Sequence, residues 1–179
     1  MIEDMQQSPP PADTGFIAAS VPDLQLRPFE PGDADAFRDL NEAWIRQYFG
    51  LEEKDLLTLR DPIRNILQPG GHIFMALVEG RAIGCCALIA DGADGPGVFE
   101  LAKMAVAEAY RGRGVGRRIL VYTIEQARAL GARRLHLGSN KRLENAVHLY
   151  AALGFRHLPP ERVKPSPYAR ANVFMELDL

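Results

Sequence analysis

The chain has 179 residues, 47% of them apolar and 25% charged, which suits one compact domain and is too short for two ordinary ones. Lysine plus arginine number 21 and aspartate plus glutamate 23, a formal net charge of -2 that argues against a dedicated nucleic-acid binder. No run of 18 apolar residues is present to cross a membrane, and residues 1–13 lack the basic and apolar regions of a secretory signal.

In chain order, residues 1–22 contain Pro9-Pro10-Pro11 without a periodic apolar pattern, so they read as a disordered or loosely docked leader before a domain spanning 23–179. Residues 24–29 alternate as a strand, with Pro28 favouring a sheet edge. Pro31-Gly32-Asp33 reads as a turn, with Asp33 placed to cap the helix that Ala36, Phe37, Leu40, Ala43 and Trp44 predict over 34–48. Leu56, Leu59, Ile63, Ile66 and Leu67 mark a second helical face over 52–67, interrupted near Pro62. Residues 73–78 and 82–90 read as a hairpin and 98–106 as a further strand. A glycine loop follows at 111–116. Ile119, Leu120, Ile124 and Ala127 then predict a helix that Gly131 stops. The rest reads as a strand at 134–137, a helix at 143–153, a short strand at 155–158, a proline-rich loop at 159–168 and a last strand at 172–177. The mixture predicts one α/β domain on a mixed sheet. The only cysteines, Cys85 and Cys86, are adjacent and project to opposite faces of a strand, so they read as buried free thiols of a cytoplasmic protein. No histidine shows metal-ligand spacing with them, and no metal is expected.

Gly112, Gly114 and Gly116 lie between a strand and a helix. Missing Cβ atoms admit a ligand close to the backbone. The partnerless N–H groups of the first helical turn favour an anion, and Arg111, Arg113, Arg117 and Arg118 add positive charge. A tight turn with solvated arginines fits the same six residues. The P-loop pattern is absent, and the dinucleotide pattern fails because the third glycine comes one position early.

Arg111-x-x-Gly114-x-Gly116 resembles the (Gln/Arg)-x-x-Gly-x-(Gly/Ala) signature of the GNAT superfamily of acyl-CoA-dependent N-acyltransferases. Asn145-Ala146-x-x-Leu149-Tyr150-x-x-Leu153-Gly154-Phe155 resembles that superfamily's second signature. The stretch from Tyr48-Phe49-Gly50 to residues 100–106 is similar to the acetyltransferase half of some bacterial regulator–acetyltransferase fusions. The resemblance implies an α/β (α+β) domain: a mostly antiparallel sheet of six or seven strands with about four helices, splayed between the fourth and fifth strands.

It further implies transfer of an acetyl group from acetyl-CoA, the cosubstrate, to a small-molecule or peptide amine, without nucleic-acid or membrane partners and with a homodimer as one form. The backbone N–H groups of Arg113, Gly114, Val115 and Gly116 would hold the pyrophosphate, with Arg111 and Gly112 also at the cofactor site. Met104, Ala105 and Val106 would line the pantetheine arm, a backbone N–H near Met104 holding the oxyanion. Asn145 and Asn140 match the CoA-contacting region, although Asn140 also fits a helix cap. Tyr150 matches the general acid, although its spacing also suits a core tyrosine. Glu100 stands where lysine-acetylating members place a catalytic glutamate, and strand alternation puts 100, 102 and 104 on one face. A surface glutamate paired with Lys103 or an arginine is the other reading. Trp44, Tyr48, Phe49 and the 159–172 loop would line the acceptor side. Acidic and aromatic groups there suit a cation, and Arg162 and Arg170 suit a carboxylate. A non-catalytic acyl-CoA sensor is the alternative function.

Overall fold

The computed structural model describes residues 20–179. The elements are β1 (Gln25–Pro28), α1 (Ala34–Tyr48), α2 (Glu53–Arg60), β2 (His72–Val78), β3 (Arg81–Ala90), β4 (Val98–Val106), α3 (Val115–Ala129), β5 (Arg134–Ser139), α4 (Glu144–Ala152), β6 (Arg156–His157) and β7 (Val173–Asp178). One seven-stranded sheet runs in the order β1-β2-β3-β4-β5-β7-β6. Every pairing is antiparallel except β4 with β5. This is the mixed, mostly antiparallel α/β architecture expected from the sequence.

Most of the leader lies outside the described residues. Val21 is buried in the core, and its carbonyl accepts a hydrogen bond from Arg118 at 3.2 Å. The predicted second helix divides. α2 ends at Arg60, and a single π-helical turn over Ile63–Leu67 follows Pro62, whose ring nitrogen has no hydrogen to continue the helix. Asp33 does not cap α1 through its side chain. Its carboxylate instead accepts from Arg27 at 2.7 and 3.0 Å and from the Glu30 amide at 2.8 Å, because a charged fork outcompetes a helix amide.

The sheet has a helix layer on each face. Ile119, Leu120 and Ile124 of α3, with Val147 of α4 and Leu153 just after it, pack over Leu88, Leu101 and Leu135. Phe37 and Ile45 of α1 and Leu59 of α2 pack over Ile73, Met75 and Ala105. Leu101 and Ala105 therefore serve opposite faces, although four residues apart on a regular strand share one. The cause is a β-bulge. Ala87 of β3 pairs with Ala102 and Cys85 with Ala105, so β4 carries one extra residue, and Lys103 sits in the left-handed region at φ 52°. The bulge corrects the expectation that Glu100 and Met104 share a face. Met104 belongs with Val106 on the α3/α4 side, and Glu100, next to inward-facing Leu101, lies on the α1/α2 side.

Cys86 packs in the α3/α4 layer and Cys85 in the α1/α2 layer, both fully buried. Burial raises both thiols, Cys86 to about 12. An alkylating reagent at mildly alkaline pH should leave both unmodified in the folded chain and label both after denaturation, as read by intact mass.

Candidate active site

β4 and β5 are paired only at Val98–Arg134, Phe99–Leu135 and Glu100–His136. Beyond them the strands part, and residues 101–106 have no strand partner on that edge. The splay opens a cleft of about 890 Å³ that runs from the glycine loop to the 159–172 loop.

At one end stands the N-terminus of α3. Gly112 and Gly114 adopt φ 69° and 77°, left-handed values that turn the chain from β4 into the helix. No atom lies within 4 Å of where a Cβ would stand on either. The first intrahelical bond is Arg118 N to Gly114 O at 3.1 Å, so the Val115, Gly116 and Arg117 amides have no helical acceptor. Such a terminus can hold phosphate oxygens. The arginines of the loop divide. Arg111 lines the cleft, donates to Val106 O at 2.8 Å and to Gln47, and lies over Tyr48. Arg113 lies over the Tyr110 ring and does not line the cleft. Arg118 turns to the carbonyls of Val21 and Leu24.

Met104, Ala105, Val106, Val115, Gly116, Asn140, Tyr150 and Glu100 all line the cleft. Asn145 does not: it is exposed on α4, while Ala146 and Tyr150 of the same helix face inward. Tyr150 is half-buried, packs edge-on to Phe155 at 5.8 Å, and is held protonated well above the usual phenol range by burial. Glu100 is half-buried and its carboxyl is raised by desolvation. Asn140 is buried, accepts from the Arg142 amide at 2.8 Å and donates to Arg170 O at 2.6 Å, so its side chain ties β5 to the 159–172 loop.

An open strand edge and an anion-ready helix terminus thus meet in one cleft. Residues 34–155 match the acetyltransferase (GNAT) family. The chain belongs to that family. It is an acyltransferase. It is 30% identical over 115 residues to the Escherichia coli uncharacterized N-acetyltransferase YjgM, covering 62% of this chain and 69% of that protein. It is 31% identical over 154 residues to the mycothiol acetyltransferase of Thermobispora bispora, covering 81% of this chain but 51% of that one. Among solved structures, a GNAT acetyltransferase of Staphylococcus aureus superposes with a TM-score of 0.76 at 18% identity, covering 87% of this chain and 98% of that one. A Bacillus subtilis acetyltransferase in complex with CoA superposes at 0.64 and 21% identity, covering 87% and 99%.

The far end of this acyltransferase's cleft is roofed by the 159–172 loop, and ion pairs hold that roof. Asp55 of α2 has no exposed side chain; it accepts from Lys103 at 2.9 Å and from both Arg170 nitrogens at 2.7 and 2.8 Å. Arg170 also reaches Glu52 at 3.0 Å, and Lys103 donates to the Tyr168 hydroxyl at 2.9 Å. Arg162 grips Glu176 through two bonds of 2.7 Å. Lys103 is therefore not the partner of Glu100, and Arg162 and Arg170 are engaged by the chain's own carboxylates rather than held free for a ligand's. Asp55 was not singled out by the sequence, since its partners lie 48 and 115 residues away with no local signal. Trp44 serves both readings: it packs against the α1/α2 core and lines the cleft beside Phe49. Asp91, Asp94 and His136 lie within 4.8 Å of one another, but Asp94 is engaged by Lys164 and Arg134 and Asp91 by His136.

The Arg170 and Lys103 bonds outweigh burial and bring the Asp55 carboxyl from 3.8 down to about 2. A depressed carboxyl stabilises the fold above its unfolded value and loses that contribution as pH falls through the folded one. Thermal melts should show the Asp55 contribution intact above pH 3.8 and lost towards about pH 2. Asp55→Asn, which leaves Lys103 and Arg170 without their carboxylate, should lower Tm by about 10 °C at neutral pH and flatten that acid limb.

Proposed function

We propose that the chain is an N-acetyltransferase that moves an acetyl group from acetyl-CoA to a primary amine by direct transfer in a ternary complex. The observation that carries the reading is the junction, in one cleft, of the α3 N-terminus with the unpaired edge of β4. The space over Gly112 and Gly114 admits a pyrophosphate against the Val115, Gly116 and Arg117 amides. The amides of a pantetheine arm match the edge left open at Met104, Ala105 and Val106.

In the proposed reaction Glu100 accepts a proton from the incoming ammonium, since an amine is nucleophilic only when neutral. The neutral amine then attacks the thioester carbon. A backbone N–H near Met104, on the unpaired edge of β4, would donate to the oxygen that becomes negative. Collapse breaks the carbon–sulfur bond, the Tyr150 hydroxyl donates its proton to the departing thiolate, and the second proton shed by the nitrogen as it becomes an amide returns through solvent to the phenolate. Burial keeps that phenol protonated, the state a general acid requires. With Arg162 and Arg170 committed to Glu176 and Asp55, the acceptor half favours an amine without a carboxylate of its own.

Saturating acetyl-CoA should raise Tm in a thermal-shift assay, and an unchanged Tm would sink the reading. Gly114→Val forces a β-branched residue to φ 77° and should abolish the shift while the unliganded chain still melts cooperatively. A panel of polyamines, aminoglycosides, amino acids, peptide N-termini and lysine peptides, followed by CoA release, identifies the acceptor. On the amine that turns over, Tyr150→Phe should lower kcat by about 100-fold with CoA affinity kept. Unaltered kcat would make Tyr150 a packing residue.

A further inference from the structure

We propose that His136, oriented by Asp91, carries the proton from Glu100 to solvent. The inference rests on the reading of Glu100 as the base. Glu100 and His136 are the last register partners before β4 and β5 part, so they stand side by side on adjacent strands at the root of the cleft. Leu135 and Leu137 face the α3/α4 core, which puts His136 on the opposite face, the one Glu100 occupies. Both residues line the cleft.

His136 Nε2 lies 2.9 Å from Asp91 Oδ2. A carboxylate only accepts, so Nε2 carries the hydrogen of the neutral ring and Nδ1 is left with its lone pair. That is the tautomer a proton acceptor needs. Glu100 and His136 make no direct hydrogen bond, so in the proposed relay one water bridges them.

A base in a desolvated cleft must be reset at every turnover. The other charged groups facing Glu100 are Lys103 from its own strand, Asp91 from the β3–β4 loop and Lys54 from α2. Lys103 is fixed as an ammonium by Asp55 and the Tyr168 hydroxyl and has no lone pair to offer. Asp91 is engaged by His136. On the far side of His136, its β7 register partner Glu176 is taken up by Arg162, and Asp94 by Lys164 and Arg134. Among the described residues, His136 is the neutral base beside Glu100, and its side chain is 27% exposed, open to solvent.

The transfer breaks and makes only bonds to hydrogen. The ammonium N–H proton passes to the Glu100 carboxylate. The resulting acid gives it to Nδ1 through one water and restores the carboxylate. The imidazolium, stabilised by Asp91, then loses a proton to bulk water. His136 is the positioned relay and Asp91 its positioning residue.

Imidazole nitrogen NMR on the full chain tests the arrangement without any acceptor. His136 should read as the Nε2–H tautomer, and Asp91→Asn should convert it to a mixture. An Nδ1–H tautomer in the unaltered chain overturns the relay. With the amine that turns over, His136→Gln should lower kcat/KM by on the order of tenfold and displace the acidic limb of its pH profile, with KM for acetyl-CoA kept. A pH profile superposable on that of the unaltered enzyme also overturns it. Failure of every amine in the panel would instead overturn the transferase reading, so the two failures are told apart.

Discussion

Everything about the site depends on where β4 lets go of β5. Three paired residues hold the two strands together, and six residues of β4 then run on without a neighbour on that edge. An unpaired strand edge inside a protein is costly unless something pairs with it, because backbone N–H and C=O groups need partners. In the proposed reaction that partner is the amide-bearing arm of the acyl donor. The bulge at Lys103 falls within this unpaired stretch and divides its labour: Met104 and Val106 turn to the α3/α4 layer, Lys103 and Ala105 to the α1/α2 layer. One inserted residue therefore gives a single strand both a floor under the glycine loop and an anchor for the acceptor roof. Met104 supplies the floor: its Cε lies 3.1 Å from where a Cβ of Gly116 would be, so the loop sits directly on the strand.

The roof is held by charge rather than by apolar packing. Asp55 gathers Lys103 from the bulge and Arg170 from the 159–172 loop around one carboxylate with no exposed surface. Replacing such a cluster with apolar residues is often neutral for stability, whereas removing one member leaves buried charges uncompensated. Its significance is therefore positional. It joins α2, β4 and the loop before β7, three elements distant in sequence, at the end of the cleft away from the glycine loop. The same pairs also set the electrostatics of that half. Arg162, Arg170, Lys103 and Lys164 each have a carboxylate of the chain, while Glu100 has no hydrogen-bonded cation and is raised by desolvation.

How much of this was legible in the sequence follows from the range of each interaction. The α1 span of 34–48 and the β4 span of 98–106 are as the apolar periodicity predicts, and both are local patterns. The glycine loop was legible because positive φ at Gly112 and Gly114 selects a residue without Cβ. The seven strands and four helices agree with what the two signatures imply. The bulge was not legible, since no glycine or proline marks it and Lys103 itself adopts φ 52°. Period-two reasoning across it consequently placed Glu100 and Met104 on one face. Asn145 shows the same limit on a helix: a signature match names the residue but not the face, and here that face is exposed. The Asp55 cluster and the His136–Asp91 pair are long-range, and neither leaves a trace in spacing.

The reversal of faces bears directly on how a one-step transfer is arranged. The amine adds to the face of the thioester carbonyl and the sulfur departs from the resulting tetrahedral carbon, so the two proton transfers take place at different atoms of one intermediate. A base and an acid on one face of the sheet would crowd the same approach. Here Tyr150 packs with the α3/α4 layer and Glu100 lies on the α1/α2 side, with the open edge of β4 between them. In the proposed reaction the proton from the amine leaves on one side, through Glu100, and the proton for the sulfur arrives on the other, through Tyr150.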